Sequence, residues 1–244
     1  MKSIKVIFML LFVITISGQM FAQNADEIVN KYVKAIGGLD KIQAIKTIKL
    51  TGKITAGTME IPFSQTCKRP SMVLMESSFQ GMTMKQAYDG TQGWMLNPFS
   101  GKKEATPMSK DAERAVSRNS DFEGQLVNYK LKGSKIELIG KENLDSSKVY
   151  NIQLTDKNND VSNYYIDTSS YLILRQNDKL KYEAKEMNAE TNFSNYKNIN
   201  GVMFPFLMVS KSPGNPMGDT KIIVESIEAN IPIDDSAFKM PSVK

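Results

Sequence analysis

The chain contains no histidine among its 244 residues, one cysteine and one tryptophan. Each scarcity removes a class of chemistry. Without His there is no Ser-His or Cys-His nucleophilic machinery, no imidazole-ligated zinc and no imidazole acid–base catalysis. Cys67, standing alone, forms no intramolecular disulfide. Arginine is confined to Arg69, Arg114, Arg118 and Arg175, and the formal net charge of +5 rests on scattered Lys. The basic, Arg-rich cluster of a nucleic-acid binder is therefore missing. Scattered Lys suits solvated strand faces and protected sheet edges instead. No Gly-rich phosphate loop, metal-ligand cluster of useful spacing, low-complexity run or internal repeat is present.

The one long apolar run is at the N-terminus. Lys2 and Lys5 precede Val6–Ile16, and Ser17, Gly18 and Gln19 follow it. The run is short for a membrane span and reads as an export signal cleaved after Ala22. No Cys ends it, so no lipid anchor is expected there. These residues predict a soluble exported protein, periplasmic where a cell has two membranes. Residues 23–244 read as a single domain, long enough to bury a core of its own.

Hydrophobic periodicity then sets the fold class. Asn24 caps an expected helix with Ile28, Tyr32, Val33 and Ile36 at helical spacing, ended by Gly37-Gly38. A second short helix is expected over Leu39–Ile45. After that the period becomes two. Ile48, Leu50 and Ile54 alternate with polar residues, and so do Met59, Ile61 and Phe63, where Pro62 suggests an edge or a bulge. Strands follow at Met72–Ser78, Met82–Tyr88 and Gly93–Asn97. A second group runs through Lys135–Gly140, Val149–Leu154, Val161–Asp167, Leu172–Asn177, Lys185–Tyr196, Val202–Lys211 and Thr220–Ala229. Turn residues separate them, as at Asp89-Gly90, Asn158-Asn159-Asp160 and Asn200-Gly201. Many strands joined by short turns imply a mainly β, antiparallel sheet, either a barrel or a strongly curved sheet. Between the groups, Ser109–Asn119 reads either as a Ser109-capped helix with a weak apolar face or as a surface loop.

Candidate chemistry is thin. Asp156, Asn158, Asp160, Ser162 and Asp167 have the spacing of a calcium loop, but Val161 stands where Gly is needed and both flanks read as strands. A hairpin turn explains the same residues. Ser-x-x-Lys occurs at Ser100–Lys103, Ser194–Lys197 and Ser236–Lys239, no more often than this content of Ser and Lys produces by chance. Asp234-Asp235 is an adjacent carboxylate pair placed for capping or a turn. Cys67 reads as a small buried hydrophobe; a reactive thiol would need a lowered pKa, which only Lys68 and Arg69 favour. No catalytic residue, metal or cofactor is expected.

The positive signal is soft and apolar. Seven of the 15 Met fall between Met59 and Met108, on consecutive strands. Met adapts to irregular apolar partners, so such a cluster either fills a core or lines a permissive cavity. The stretch FQGMTMKQAYDGTQGWMLNPF (79–99) concentrates it. The candidate lining is Met59, Phe63, Met75, Met82, Met84, Tyr88, Trp94 and Met95.

Five phrases together resemble a known family: ADEIVNKYVKAIGG–LDKIQAIKTIKLTGK, the 79–99 stretch, YYIDTSSYLILR, NINGVMFPF and PIDDSAFKMP. Over nearly all of residues 23–244 the chain resembles the outer-membrane lipoprotein-sorting proteins of the LolA/LppX-like superfamily, in the branch common among Bacteroidetes-type bacteria. The resemblance implies a single curved antiparallel sheet forming an unclosed half-barrel, with helices as lid and plug. It also implies a non-catalytic, monomeric carrier of lipid-like ligands, such as lipoprotein acyl chains, with transient envelope partners. The residues alone leave a second reading open: an envelope interaction protein with a packed sheet, binding partners by strand addition.

Overall fold

A computed structural model describes residues 25–101, 104–182, 185–213 and 218–241. The segment read as an export signal, and Asn24 read as a helix cap, lie outside the described residues. Helix α1 (residues 25–35) buries Ile28 and Tyr32, which the helical spacing marks, together with Val29, which it does not, while Val33 is partly buried. It ends where Gly37 and Gly38 take φ of 126° and 86°, which suits Gly and few other residues. A Cβ on Gly37 would also stand 2.3 Å from the Gly201 carbonyl oxygen. Helix α2 (Leu39–Ala44) follows at once and buries Ile42.

The rest is one sheet. In chain order the strands are β1 (Thr47–Ala56), β2 (Met59–Lys68), β3 (Met72–Phe79), β4 (Met82–Tyr88), β5 (Gly93–Leu96) and β6 (Thr106–Pro107). After helix α3 (Lys110–Arg118) come β7 (Lys135–Leu144), β8 (Ser147–Thr155), β9 (Val161–Asp167), β10 (Ile173–Tyr182), β11 (Lys185–Ile199), β12 (Val202–Lys211) and β13 (Thr220–Ala229). The thirteen strands lie in the order β6-β5-β4-β3-β2-β1-β13-β12-β11-β10-β9-β8-β7. Every neighbouring pair is antiparallel. The sheet does not close, so β6 and β7 remain edges and the fold is an unclosed half-barrel. Of the two readings of Ser109–Asn119, the structure has the helix, α3, with the Ser109 hydroxyl accepting from Ala112 N–H at 3.3 Å.

Local chemistry accounts for the strands and their turns. Ser162, Tyr164 and Ile166 are the buried set of β9, and Val202, Phe204 and Phe206 that of β12. These are the alternating positions of a sheet with one covered face. Asp89 closes the β4–β5 turn by accepting from the N–H groups of Thr91 and Gln92, both at 2.9 Å. Asp167 closes the β9–β10 turn in the same way through Ser169 and Ser170. Pro62 lies in an inner strand instead of an edge. It sits just past the last β2–β3 partner pair, Phe63↔Ser77, where its missing N–H removes no ladder bond. The longer edge, β7, carries Lys135 and Lys141 and a bulge between Leu138 and Gly140, features that discourage edge pairing.

Helices α1 and α2 and the 119–134 connection fill one part of the concave face. Their Leu126 and Val127 join Ile48, Cys67, Val73, Ile152 and Tyr164 in the core. The end of α1 is tied to the sheet by Met203 N–H donating to Ile36 O at 2.9 Å.

Candidate functional site

The concave face is not filled. A cavity of about 570 Å³ lies between the sheet, α1, the end of α3 and the 119–126 segment. That is within the roughly 300–1,000 Å³ usual for ligand pockets. Leu50, Ile54, Phe63 and Met75 line one wall, and Leu180, Phe193, Met208 and Ile222 the other.

Strand register places the candidate lining residues. Paired residues share a face, and so do alternate residues along a strand. The pairs Phe63↔Ser77↔Met84 and Gln65↔Met75↔Gln86↔Met95 run across β2–β5, as do Cys67↔Val73↔Tyr88. Met59, Phe63, Met75, Met82, Met84, Tyr88 and Met95 therefore share one face. Phe63 and Met75 line the cavity itself. Met84, Tyr88 and Met95 continue that face toward β5, partly buried, while Met59 and Met82 stand at its open end, each 37% exposed. Trp94 pairs with Ala87 and faces the other way. It is buried on the outer side, where its indole N–H donates to Phe238 O at 2.7 Å, in the short turn Asp235–Phe238. Asp234 caps that turn by accepting from Ser236 N–H. Removing residues 235–244 is therefore expected to wet the indole. A red shift of Trp94 emission, with the sheet's circular dichroism retained, checks this.

Helix α3 crosses the open side. On one flank its Glu113 carboxylate accepts from Gly93 N–H at 3.0 Å, and the Asn119 carbonyl accepts from Gln65 Nε2 at 3.0 Å and Cys67 Sγ at 3.3 Å. The Gly93 N–H and the Lys110 ammonium hold the Glu113 carboxyl below its ordinary range. On the other flank Arg118 donates to Asp156 and Asp160, each at 3.4 Å. Arg114 lies 3.8 Å from Asp160 and donates to the Lys181 carbonyl. Asp160 also accepts from Lys181 N–H at 2.9 Å. The acidic stretch read from its spacing is thus a hairpin turn, closed by Asp156 accepting from Asn158 and Asp160 N–H, and its carboxylates face arginines. Among the described residues no group of three or more His, Cys, Asp or Glu is placed to hold a metal.

Beneath α3 the cavity floor is polar. Arg69 donates to the carbonyls of Ile42 and Ile45 and to Glu123, and its guanidinium lies 4.8 Å from the Phe122 ring centre. Lys132 holds both Asp121 oxygens at 2.8 Å and Glu123 at 3.2 Å. Burial still leaves the Asp121 carboxyl above its ordinary pKa, against the pull of Lys132. Cys67 is fully buried beside this floor, and burial pushes its thiol up to about 12. Native alkylation at pH 8 is expected to be at least about 100-fold slower than in denaturant, because the thiolate is the reacting form. Timed iodoacetamide labelling with mass detection measures this. Sequence names Arg69 only as a neighbour of Cys67 and marks no floor; the spacing of these residues shows no motif, and only the fold brings Arg69 to Glu123.

Comparison with known proteins follows this geometry. A family model described as "-like: Uncharacterized protein" matches residues 75–244, from within β3 to the end of the chain. The chain belongs to that family. No curated protein matches by sequence. Among solved structures, the family member's fold is similar to that of a LolA superfamily protein of Nitrosomonas europaea, with TM-score 0.60 and 12% identity over 90% of this chain and 97% of that one. A DUF1329 family protein of Desulfovibrio piger gives TM-score 0.59 at 15% identity, covering 88% and 97%. A domain named for outer membrane lipoprotein sorting, from Vibrio parahaemolyticus, gives 0.58 at 11%, covering 89% and 97%. The fold is of the LolA type. No helix among the described residues is long and apolar enough to cross a membrane.

Proposed function

We propose that this protein is a non-catalytic carrier of lipid-like ligands in the cell envelope, exported and periplasmic after removal of residues 1–22. The observation that carries the reading is the apolar cavity of about 570 Å³ held between an unclosed sheet and a helix crossing it. An apolar concavity of that size is costly in water unless a ligand covers it. Each buried acyl CH₂ contributes about 0.8 kcal/mol, so several methylenes offset the loosening of a lid. The lipoprotein-sorting name borne by one structural relative agrees with acyl chains as cargo. The carrier acts as a monomer, with Phe63 and Met75 at the wall and Met59, Met82, Met84, Tyr88 and Met95 along the adjoining face. Its envelope partners are transient donors and acceptors of the cargo.

The test is solvent extraction and mass spectrometry of protein purified natively. A stoichiometric amphiphile is expected, lost in Phe63→Arg, which places a charge in the cavity wall. An extract free of lipid, together with no uptake of added lysolipid, would sink the reading. Because Trp94 faces away from the cavity, its emission is expected to change little on loading, whereas a lipid carrying a quencher in its chain should quench tyrosine fluorescence.

A further inference from the structure

The apolar part of the cavity is a strip, long and narrow. On β1, Ile48, Leu50 and Ile54 all line it. Ile48 and Ile54 stand six residues apart, about 20 Å along the strand. At one end Ile54, Ile222, Met208 and Phe193 lie side by side through successive strand pairs. Spread over that length, about 570 Å³ leaves an average width of roughly 5 Å. Touching carbons lie about 4 Å apart, so this is the room of one hydrocarbon chain and not of two abreast.

Polar groups bound the strip on both sides. Gln176 and Asp178 of β10 line the cavity on one side, and Arg118, Asp121 and Glu123 on the other. They are already engaged. Arg118 faces Asp156 and Asp160, Asp121 faces Lys132, and Glu123 faces Arg69 and Lys132. Asp178 accepts from the Ser162 hydroxyl and from Gln176 Nε2. A second chain laid beside the first would cover these groups with hydrocarbon and offer them no partner, which is costly.

The strip also has a blind end. Ile36, Ile42 and Ile45, on α1, α2 and just after them, line it there and are buried. Burial falls along the strands away from that end. On β1 Ile48 is buried, and Leu50 and Ile54 are partly exposed; on β12 Val202 and Phe204 are buried, and Met208 is partly exposed.

We propose that the cavity admits one unbranched acyl chain per protein, methyl end first toward α1 and α2, and excludes lipids that bring two or three chains. The head is left at the Ile54–Ile222 end. This rests on the carrier reading and names its cargo as single-chain amphiphiles, lysolipids or free fatty acids. One leaflet of a bilayer holds about 15 Å of hydrocarbon, so a membrane chain fits lengthwise. A lipid with a second chain would leave it in water, forfeiting about fourfold in affinity per exposed CH₂.

The experiment incubates the delipidated full chain with dipalmitoylphosphatidylcholine vesicles that also contain palmitoyl-lysophosphatidylcholine, palmitate and a tripalmitoylated lipopeptide. The protein is re-isolated and weighed by native mass spectrometry. One palmitoyl chain per protein is expected, as lysolipid or as palmitate, the added mass naming the source. It should exceed the two- and three-chain lipids at least about tenfold. In a lysolipid series from ten to twenty carbons, affinity should rise with length and level off at about 16 carbons. Leu50→Trp, which fills the strip midway, should move that plateau to shorter chains; Leu50→Phe is the smaller plug should the Trp variant lose its circular dichroism. A spin label on the last chain carbon should broaden the amide signals of Ile48 and Val202, and one beside the head those of Ile54 and Ile222. Two lysolipids per protein, or a two- or three-chain lipid retained at one per protein, overturns the single-chain limit and leaves the carrier reading standing. An unmoved plateau overturns the depth, and reversed broadening the direction. Failure of every lipid to bind overturns the carrier reading as well.

Discussion

Gly52→Ala is expected to destabilise the protein by about 3–5 kcal/mol, a fall in Tm of roughly 10 °C for a domain of this length. The reason is steric and local. At the register shift between Thr51 and Gly52, β1 presses against β13, and a Cβ on Gly52 would stand 2.1 Å from the Ile223 carbonyl oxygen. The nearest obstacle is backbone, so no rotamer change relieves it. The same Cβ would lie 3.0 Å from the Phe63 ring, which lines the cavity, so ligand uptake should fall along with stability. Gly140→Ala is the control: nothing lies within 4 Å of a Cβ there, and it sits on the outer edge strand. Thermal melts followed by circular dichroism separate the two. A Gly52→Ala melt within 2 °C of wild type, as roughly a 1 kcal/mol resolution limit, would show that β13 yields without cost.

Asp160→Ala carries the second large effect. Its carboxylate is 3% exposed and receives Arg118, Arg114 and the Lys181 N–H. Removing one partner of a buried ionic network leaves the others uncompensated, which costs about 3–5 kcal/mol when all are buried. The arginine side chains are 31% and 25% exposed, so water recovers part of that, and about 2–3 kcal/mol is the expected loss. It should be felt first in α3. Hydrogen exchange over Lys110–Arg118 is expected to accelerate at least tenfold while β1–β2 amides stay protected. Added salt should narrow the gap between variant and wild type, since the pairs are partly open to solvent. Unchanged α3 protection would mean that Glu113 on Gly93 and Asn119 on Gln65 hold the helix without the arginines.

Much of the fold can be read locally. Val161–Asp167, Val202–Lys211, Met82–Tyr88 and Thr220–Ala229 are strands with the bounds their alternation marks, because one covered face writes itself into every second residue. Ser109 announces α3 by a cap that needs only its near neighbours. The candidate site is less legible. Trp94 and Met95 are consecutive in a strand, so one had to face away from any shared wall; period two says this much. Which one does so depends on the pair Gln86↔Met95 and on Met75 across β3, that is, on register. Ile222 and Met208 reach the cavity only because β13 pairs with β1, a contact across most of the chain. The Arg118–Asp160 pair is likewise a product of topology, and composition carries no trace of it.

The pairing of β1 with β13 has a temporal consequence. The strands on either side of that seam are the first and last of the sheet in sequence, yet they sit side by side near its middle. A chain that emerges N-terminus first can zip β1 through β6 by neighbouring hairpins, and later β7 through β12 by others. One long border of β1 then waits, with its backbone N–H and C=O groups unpaired, until residues 220–229 arrive. Loop closure over such a separation is slow relative to hairpin formation. The half-finished sheet is the species most exposed to mispairing with other chains. The birth of this molecule therefore has a vulnerable interval, and its length is set by how quickly the final strand is delivered.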